Sequence, residues 1–122
     1  MLYGEFTRGT TPTHNFPLPK NLNLTNFIDL TVIYRQKGKN ILVKTKENVC
    51  ESNNHITLSL SQEDTLKFDP RIKFVEVQIK GRVDNNNVSI FGEYRFRLND
   101  CFDENNGQTN IPEVKLDTNN SE

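Results

Sequence analysis

The stretch FVEVQIKGRVDNNNVSIFGEYRFRL, residues 74–98, decides the fold. In its first half Val75, Val77, Ile79 and Val83 share one parity, with Glu76, Gln78, Lys80 and Arg82 on the other. In its second half Val88, Ile90, Tyr94, Phe96 and Leu98 are set against Ser89, Glu93, Arg95 and Arg97. Successive side chains of a strand point to opposite faces, so a period of two means half-buried β-strands. Asp84-Asn85-Asn86-Asn87 lies between the runs. These residue types tolerate left-handed turn geometry, so the two strands read as a hairpin with one wet face. The hairpin brings no catalytic constellation with it.

The same period recurs upstream. Residues 27–36 place Ile28, Leu30, Val32 and Tyr34 inward and Asp29, Thr31 and Arg35 outward; Lys37-Gly38-Lys39-Asn40 turns the chain. A return strand follows over 41–45 with Ile41, Val43 and Thr45 in register, and residues 55–60 place Ile56, Leu58 and Leu60 on one face. Residues 5–18 alternate less cleanly, with Pro12, His14, Phe16 and Leu18 on one parity. Proline cannot donate to a ladder, so Pro12, Pro17 and Pro19 make this an edge strand, with Gly9 as a turn or bulge. Its outward residues Thr11, Thr13 and Asn15 are a candidate contact edge. Ser61 with Asp64 three residues on forms a capping box for one helical turn, which should carry Leu66 and Phe68 onto the core before Asp69-Pro70 ends it.

Six to seven short strands with turn signals about every ten residues predict an all-β protein. The expected architecture is an immunoglobulin-like antiparallel β-sandwich with one short helical corner. At 122 residues the chain has room for one core. Residues 1–98 are expected to form the sandwich and 99–122 a flexible acidic, asparagine-rich tail. From Asn99 on, six acids oppose Lys115 alone, a charge of −5; the overall −1 then leaves the body at +4. Within the tail, Ile111, Pro112 and Val114 are the apolar candidates for binding a partner.

Chemistry is sparse. His14 and His55 are the only histidines, and no GxSxG elbow accompanies them, so His14 reads as a satisfied strand residue. Glu63 and Asp64 diverge by about 100° on a helical turn and do not converge on a ligand. Asp100, Asp103 and Glu104 lack a calcium-loop register. Cys50 and Cys101 have neither CxxC nor histidine spacing and read as free thiols. No enzyme, metal or cofactor is expected. Basic residues are spread along wet faces without interleaved aromatics, so no nucleic-acid partner is expected. The sequence has no apolar run of bilayer-spanning length and no signal-like opening, so neither a membrane nor export is expected.

Two stretches carry a resemblance: Thr7-Arg8-Gly9-Thr10-Thr11-Pro12-Thr13-His14-Asn15-Phe16 and Leu60-Ser61-Gln62-Glu63-Asp64-Thr65-Leu66-Lys67-Phe68. Together they resemble small immunoglobulin-like virion proteins of tailed bacteriophages, and the N-terminal domain of phage baseplate upper proteins. The resemblance covers about residues 5–98. It implies a non-enzymatic part of the particle: an auxiliary or decoration protein on the capsid, or a head-fibre attachment protein. Alternatives are a neck, tail or baseplate adaptor, and a small phage-encoded inhibitor of a host protein. The implied partners are other virion proteins, the major capsid protein among them, in many copies per particle. The implied location is the virion, assembled in the bacterial host cytoplasm.

Overall fold

The 74–98 stretch is a hairpin of two strands, Phe74–Arg82 and Val88–Asn99, paired antiparallel. The computed structural model describes residues 1–85 and 87–100. In chain order the described strands are β1 (Gly4–Thr7), β2 (Thr13–Pro17), β3 (Asp29–Gln36), β4 (Lys39–Thr45), β5 (Cys50–Ser52), β6 (His55–Ser59), β7 (Phe74–Arg82) and β8 (Val88–Asn99), with one α-helix among the described residues, α1 (Gln62–Leu66), and two 3-10 turns at Leu24–Asn26 and Lys46–Asn48. They form two sheets, ordered β1-β8-β7-β3-β4 and β2-β6-β5. A four-strand run β8-β7-β3-β4 facing β2-β6-β5 is the G-F-C-C′ and B-E-D arrangement of variable-type domains. The fold is an immunoglobulin-like β-sandwich. Eight strands are described where six to seven were expected, and one pairing, β1 with β8, is parallel.

The core lies between the sheets, with Leu30, Val32 and Tyr34 of β3 and Val75, Val77 and Ile79 of β7 meeting Phe16, Ile56 and Leu58 of β2 and β6. The inward positions of β2 and β7 hold no cysteine. The intersheet disulfide of antibody domains is therefore replaced by aromatic and β-branched packing. Lys37 and Gly38 both have positive φ, 49° and 78°, the geometry that two-residue hairpin loops favour.

Where the faces differ from expectation, β-bulges are the main cause. On β4, Tyr34 pairs with Leu42 but Arg35 pairs with Asn40, so Ile41 is an extra residue. Leu42 therefore enters the core at 5% exposure, and Val43 points out at 54%. On β8, Ile79 pairs with Gly92 but Lys80 pairs with Ile90, so Phe91 is extra. Tyr94, Phe96 and Leu98 keep the predicted inward face, whereas Val88 and Ile90 are turned to solvent. A bulge sets two residues against one and reverses parity beyond it.

At the strand ends, Ile28 and Val83 are exposed, and Phe27 is buried in place of Ile28. The expected single edge strand over 5–18 is two strands in different sheets, joined by a turn with Gly9 at φ 81°.

The helical corner forms as its capping box predicts. Ser61 Oγ accepts from the Asp64 amide at 3.0 Å, and Asp64 Oδ2 accepts from the Ser61 amide at 3.0 Å. Phe68 reaches the core but Leu66 stays exposed; the corner residue buried in its place is Thr65. Strand β8 extends to Asn99, which pairs with Thr7, one residue past the expected domain end.

Candidate functional site

The strand edge expected to make contact is partly occupied by bonds within the chain itself. Thr11, Thr13 and Asn15 are exposed, and β2 is an edge strand of the three-stranded sheet. Across to β6, Thr13 Oγ1 lies 3.0 Å from Ser59 Oγ, and Asn15 Oδ1 accepts from Thr57 Oγ1 at 2.8 Å. The Asn15 carbonyl accepts from the Tyr3 hydroxyl at 2.6 Å, and Pro17 has no N–H to offer. Tyr3 also packs on Phe16, Tyr94 and Phe96, with ring centroids 4.5–5.8 Å away, closing the seam between the sheets on this side. Ile111, Pro112 and Val114 lie outside the described residues, as does Cys101. Cys50 is exposed and free.

A second candidate surface is the outer face of the five-stranded sheet. Its register sets Arg35 beside Glu76 and Glu76 beside Arg95. The next rung holds Gln78, whose Nε2 donates to Glu93 Oε2 at 3.1 Å, and at the far end Arg82 Nη2 donates to Asp29 Oδ2 at 2.6 Å. The Arg95 guanidinium sits 4.0 Å from the Phe74 ring centroid. A shallow groove of about 540 Å³ runs over this face, lined by Leu2, Arg35, Glu76, Gln78, Glu93 and Arg95 among others. Alternating signs on neighbouring strands neutralise each other, so the face suits a mixed polar protein surface better than a polyanion.

The end of the sandwich that holds the β2–β3 and β7–β8 connections has a second pocket, about 460 Å³, walled by Pro19, Leu22, Phe27 and Phe91 with Asp84 and Asn87 among its lining residues. Phe91, the bulged residue, stacks on Phe27 at 5.4 Å. Gly81 makes room for that pair: a Cβ there would stand 2.8 Å from the Phe27 ring.

His14 is 6% exposed, and its Nδ1 lies 2.8 Å from the Tyr34 hydroxyl. Burial pushes its pKa down to about 4, and burial followed by the charge of Asp64 pushes the Tyr34 hydroxyl up. At the corner, desolvation acts to raise Asp64, but the Ser61 amide and Lys44, 3.0 Å away, hold it below its usual value. Hydrogen bonds from Arg71 draw half-buried Asp69 down to about 2. Among the described residues, no group of three or more His, Cys, Asp or Glu side chains could hold a metal ion, and no helix is long and apolar enough to cross a membrane.

Three buried polar residues went unread in the sequence. Thr65 Oγ1 accepts from the Gly9 amide at 3.0 Å and donates to the Thr10 carbonyl at 2.8 Å. Gln36 donates from Nε2 to the Asp69 and Ile72 carbonyls and accepts at Oε1 from the Asp69 amide. Arg8 donates to the Leu66 carbonyl at 3.0 Å and pairs with Asp100 at 3.2 Å. Only Gln36 left a signal, by continuing the inward parity of Leu30, Val32 and Tyr34.

No protein-family model matches the chain, and no curated protein matches it in sequence. Among solved structures it is similar to the immunoglobulin-like domain of mouse leukocyte-associated immunoglobulin-like receptor 1, determined as a strand-swapped dimer. Identity is 9% and the TM-score 0.42, over 78% of this chain and 84% of that one. The fold assignment rests on the strand order described above.

Proposed function

We propose that this chain is a non-enzymatic structural component of a tailed-phage particle, held on the capsid surface as an auxiliary or decoration protein or as a head-fibre attachment protein. One observation carries the reading. The two stretches that resemble phage virion proteins, 7–16 and 60–68, are joined through Thr65, which bonds both Gly9 and Thr10. A pattern split across about fifty residues of sequence is thus one hydrogen-bonded unit, as a structural signature of a family would be. The charge-alternating outer sheet face is suited to lie against another protein. The partners in this reading are other virion proteins, the major capsid protein first, in many copies.

Mass spectrometry of purified particles of the encoding phage should find the chain in many copies, and antibody labelling should place it on the head. Label on the neck, tail or baseplate would make it an adaptor there. Absence from purified particles would sink the reading.

A further inference from the structure

His14 on β2 and Tyr34 on β3 belong to opposite sheets, so their 2.8 Å hydrogen bond spans the sandwich. The His14 ring is enclosed by Phe6, Phe16 and Phe96, with centroids at 5.1, 6.2 and 4.5 Å, and its Nε2 is buried with no hydrogen-bond partner among the described residues. If the Tyr34 hydroxyl donates to Nδ1 and the imidazole proton sits on Nε2, a single N–H is left unpaired. The opposite assignment leaves both the Nε2 lone pair and the Tyr34 O–H unpaired. The first arrangement costs less. It makes Nδ1 the acceptor that a proton from acid would take.

We infer that the His14–Tyr34 bond is an acid-sensitive latch between the two sheets, held in place while Nδ1 accepts from Tyr34 and destabilised when a proton occupies that nitrogen. Protonation forces the bond to reverse, orphans the Tyr34 O–H and places a charge among three phenyl rings. Among the described residues, burial alone shifts the ring, and no carboxylate takes up that charge. From β3 the titratable group that meets it is Tyr34. From β2 and β6 the flanking positions are Phe16 and the cross-strand partner Leu58. On β1, Glu5 turns to Asn99, and just past its end Arg8 turns to Leu66 and Asp100. On β8, Arg95 and Arg97 are exposed on the outer face. At the corner, Asp64 is paired with Lys44 and acts on Tyr34.

The direction follows from linkage. A histidine whose folded pKa lies near 4 against 6.5 in the unfolded chain contributes stability above pH 6.5, which is lost as pH falls toward 4. That difference is about 300-fold in the folding equilibrium constant. The carboxylates held low, Asp64, Asp69 and Glu47, lose their contributions only below about pH 4.5, so the two windows separate.

Urea unfolding of the full chain between pH 7.5 and 5 tests the latch. The wild-type folding equilibrium constant should fall by close to tenfold per pH unit below about 6. H14F/Y34F, which replaces both partners with apolar rings, should be flat over that range. A flat wild-type profile, or an undiminished slope in the double variant, overturns the proposal. Should the double variant fail to fold, NMR titration of the wild-type His14 ring decides the question. An unshifted ring signal down to pH 5 supports the latch; titration near 6.5 or above, with the phenyl faces holding the charge, refutes it.

Discussion

Thr65 shows how much one buried hydroxyl can organise. It is fully enclosed, and it satisfies a donor and an acceptor on the segment where the chain crosses from one sheet to the other. Thr65→Val keeps the shape but orphans the Gly9 N–H and the Thr10 C=O, and should cost about 1–3 kcal/mol in chemical unfolding. Thr65→Ser retains the hydroxyl and should cost clearly less; equal losses would mean that packing, not the hydrogen bonds, sets the corner. Val77 and Gln78 provide the matching test of the sheet. Val77 is 1% exposed on the core face, so Val77→Asp buries an unpaired charge and should destabilise by more than about 3 kcal/mol. Gln78→Asp changes only the wet face. It should cost about 1 kcal/mol, because the new carboxylate stands opposite Glu93. Similar midpoints for the two variants would contradict the assignment of faces.

At the scale of the element, period-two reading worked where strands are regular and failed beyond a bulge. The inward sets Leu30, Val32 and Tyr34, then Ile56, Leu58 and Leu60, then Val75, Val77 and Ile79 were all legible, because polar residues alternate with most of them. In Ile41-Leu42-Val43 three consecutive apolar residues erase the period, and the bulge at Ile41 then selects Leu42 for the core. In Ile90-Phe91-Gly92 the adjacent apolar pair and the glycine were the only hints of a second bulge. The candidate surfaces were less legible than the fold. Charge alternation along one strand is visible in sequence, but the Arg35–Glu76–Arg95 row depends on registers among three strands. The bulges make a direct prediction. Leu42→Ala should cost about 2–5 kcal/mol by opening a core cavity, while Val43→Thr and Ile90→Thr should each stay within about 0.5 kcal/mol, as measured by thermal or urea midpoints. A Val43→Thr loss as large as that of Leu42→Ala would place the bulge elsewhere.

At the scale of the whole molecule, the body and the C-terminal sequence carry opposite charge, and that sets up the test separating stability from assembly. A chain ending at Asp100 keeps the eight described strands, the pairing of Thr7 with Asn99 and the Arg8–Asp100 ion pair. The residues it removes, 101–122, contain five acids against Lys115, and their few apolar residues are Cys101, Phe102, Leu116 and the cluster at Ile111, Pro112 and Val114. A sequence so poor in apolar residues has little with which to stabilise the sandwich, so the shortened chain should melt within a few degrees of the full one. If the proposed role is right and that cluster is the anchor, the same truncation should abolish incorporation into the particle. Each contact would be weak because ordering a polar segment costs entropy, and attachment would then depend on many copies acting together. Co-purification of tagged full-length and truncated chains with particles measures this directly. Full occupancy by the truncated chain would exclude the C-terminal anchor and move the binding surface onto the sandwich, where Thr11, Thr13 and Asn15 on the β2 edge are the next residues to substitute. A large fall in melting temperature would instead show that residues beyond 100 pack on the domain, and the assembly result could then be read only from point changes at Ile111 and Val114.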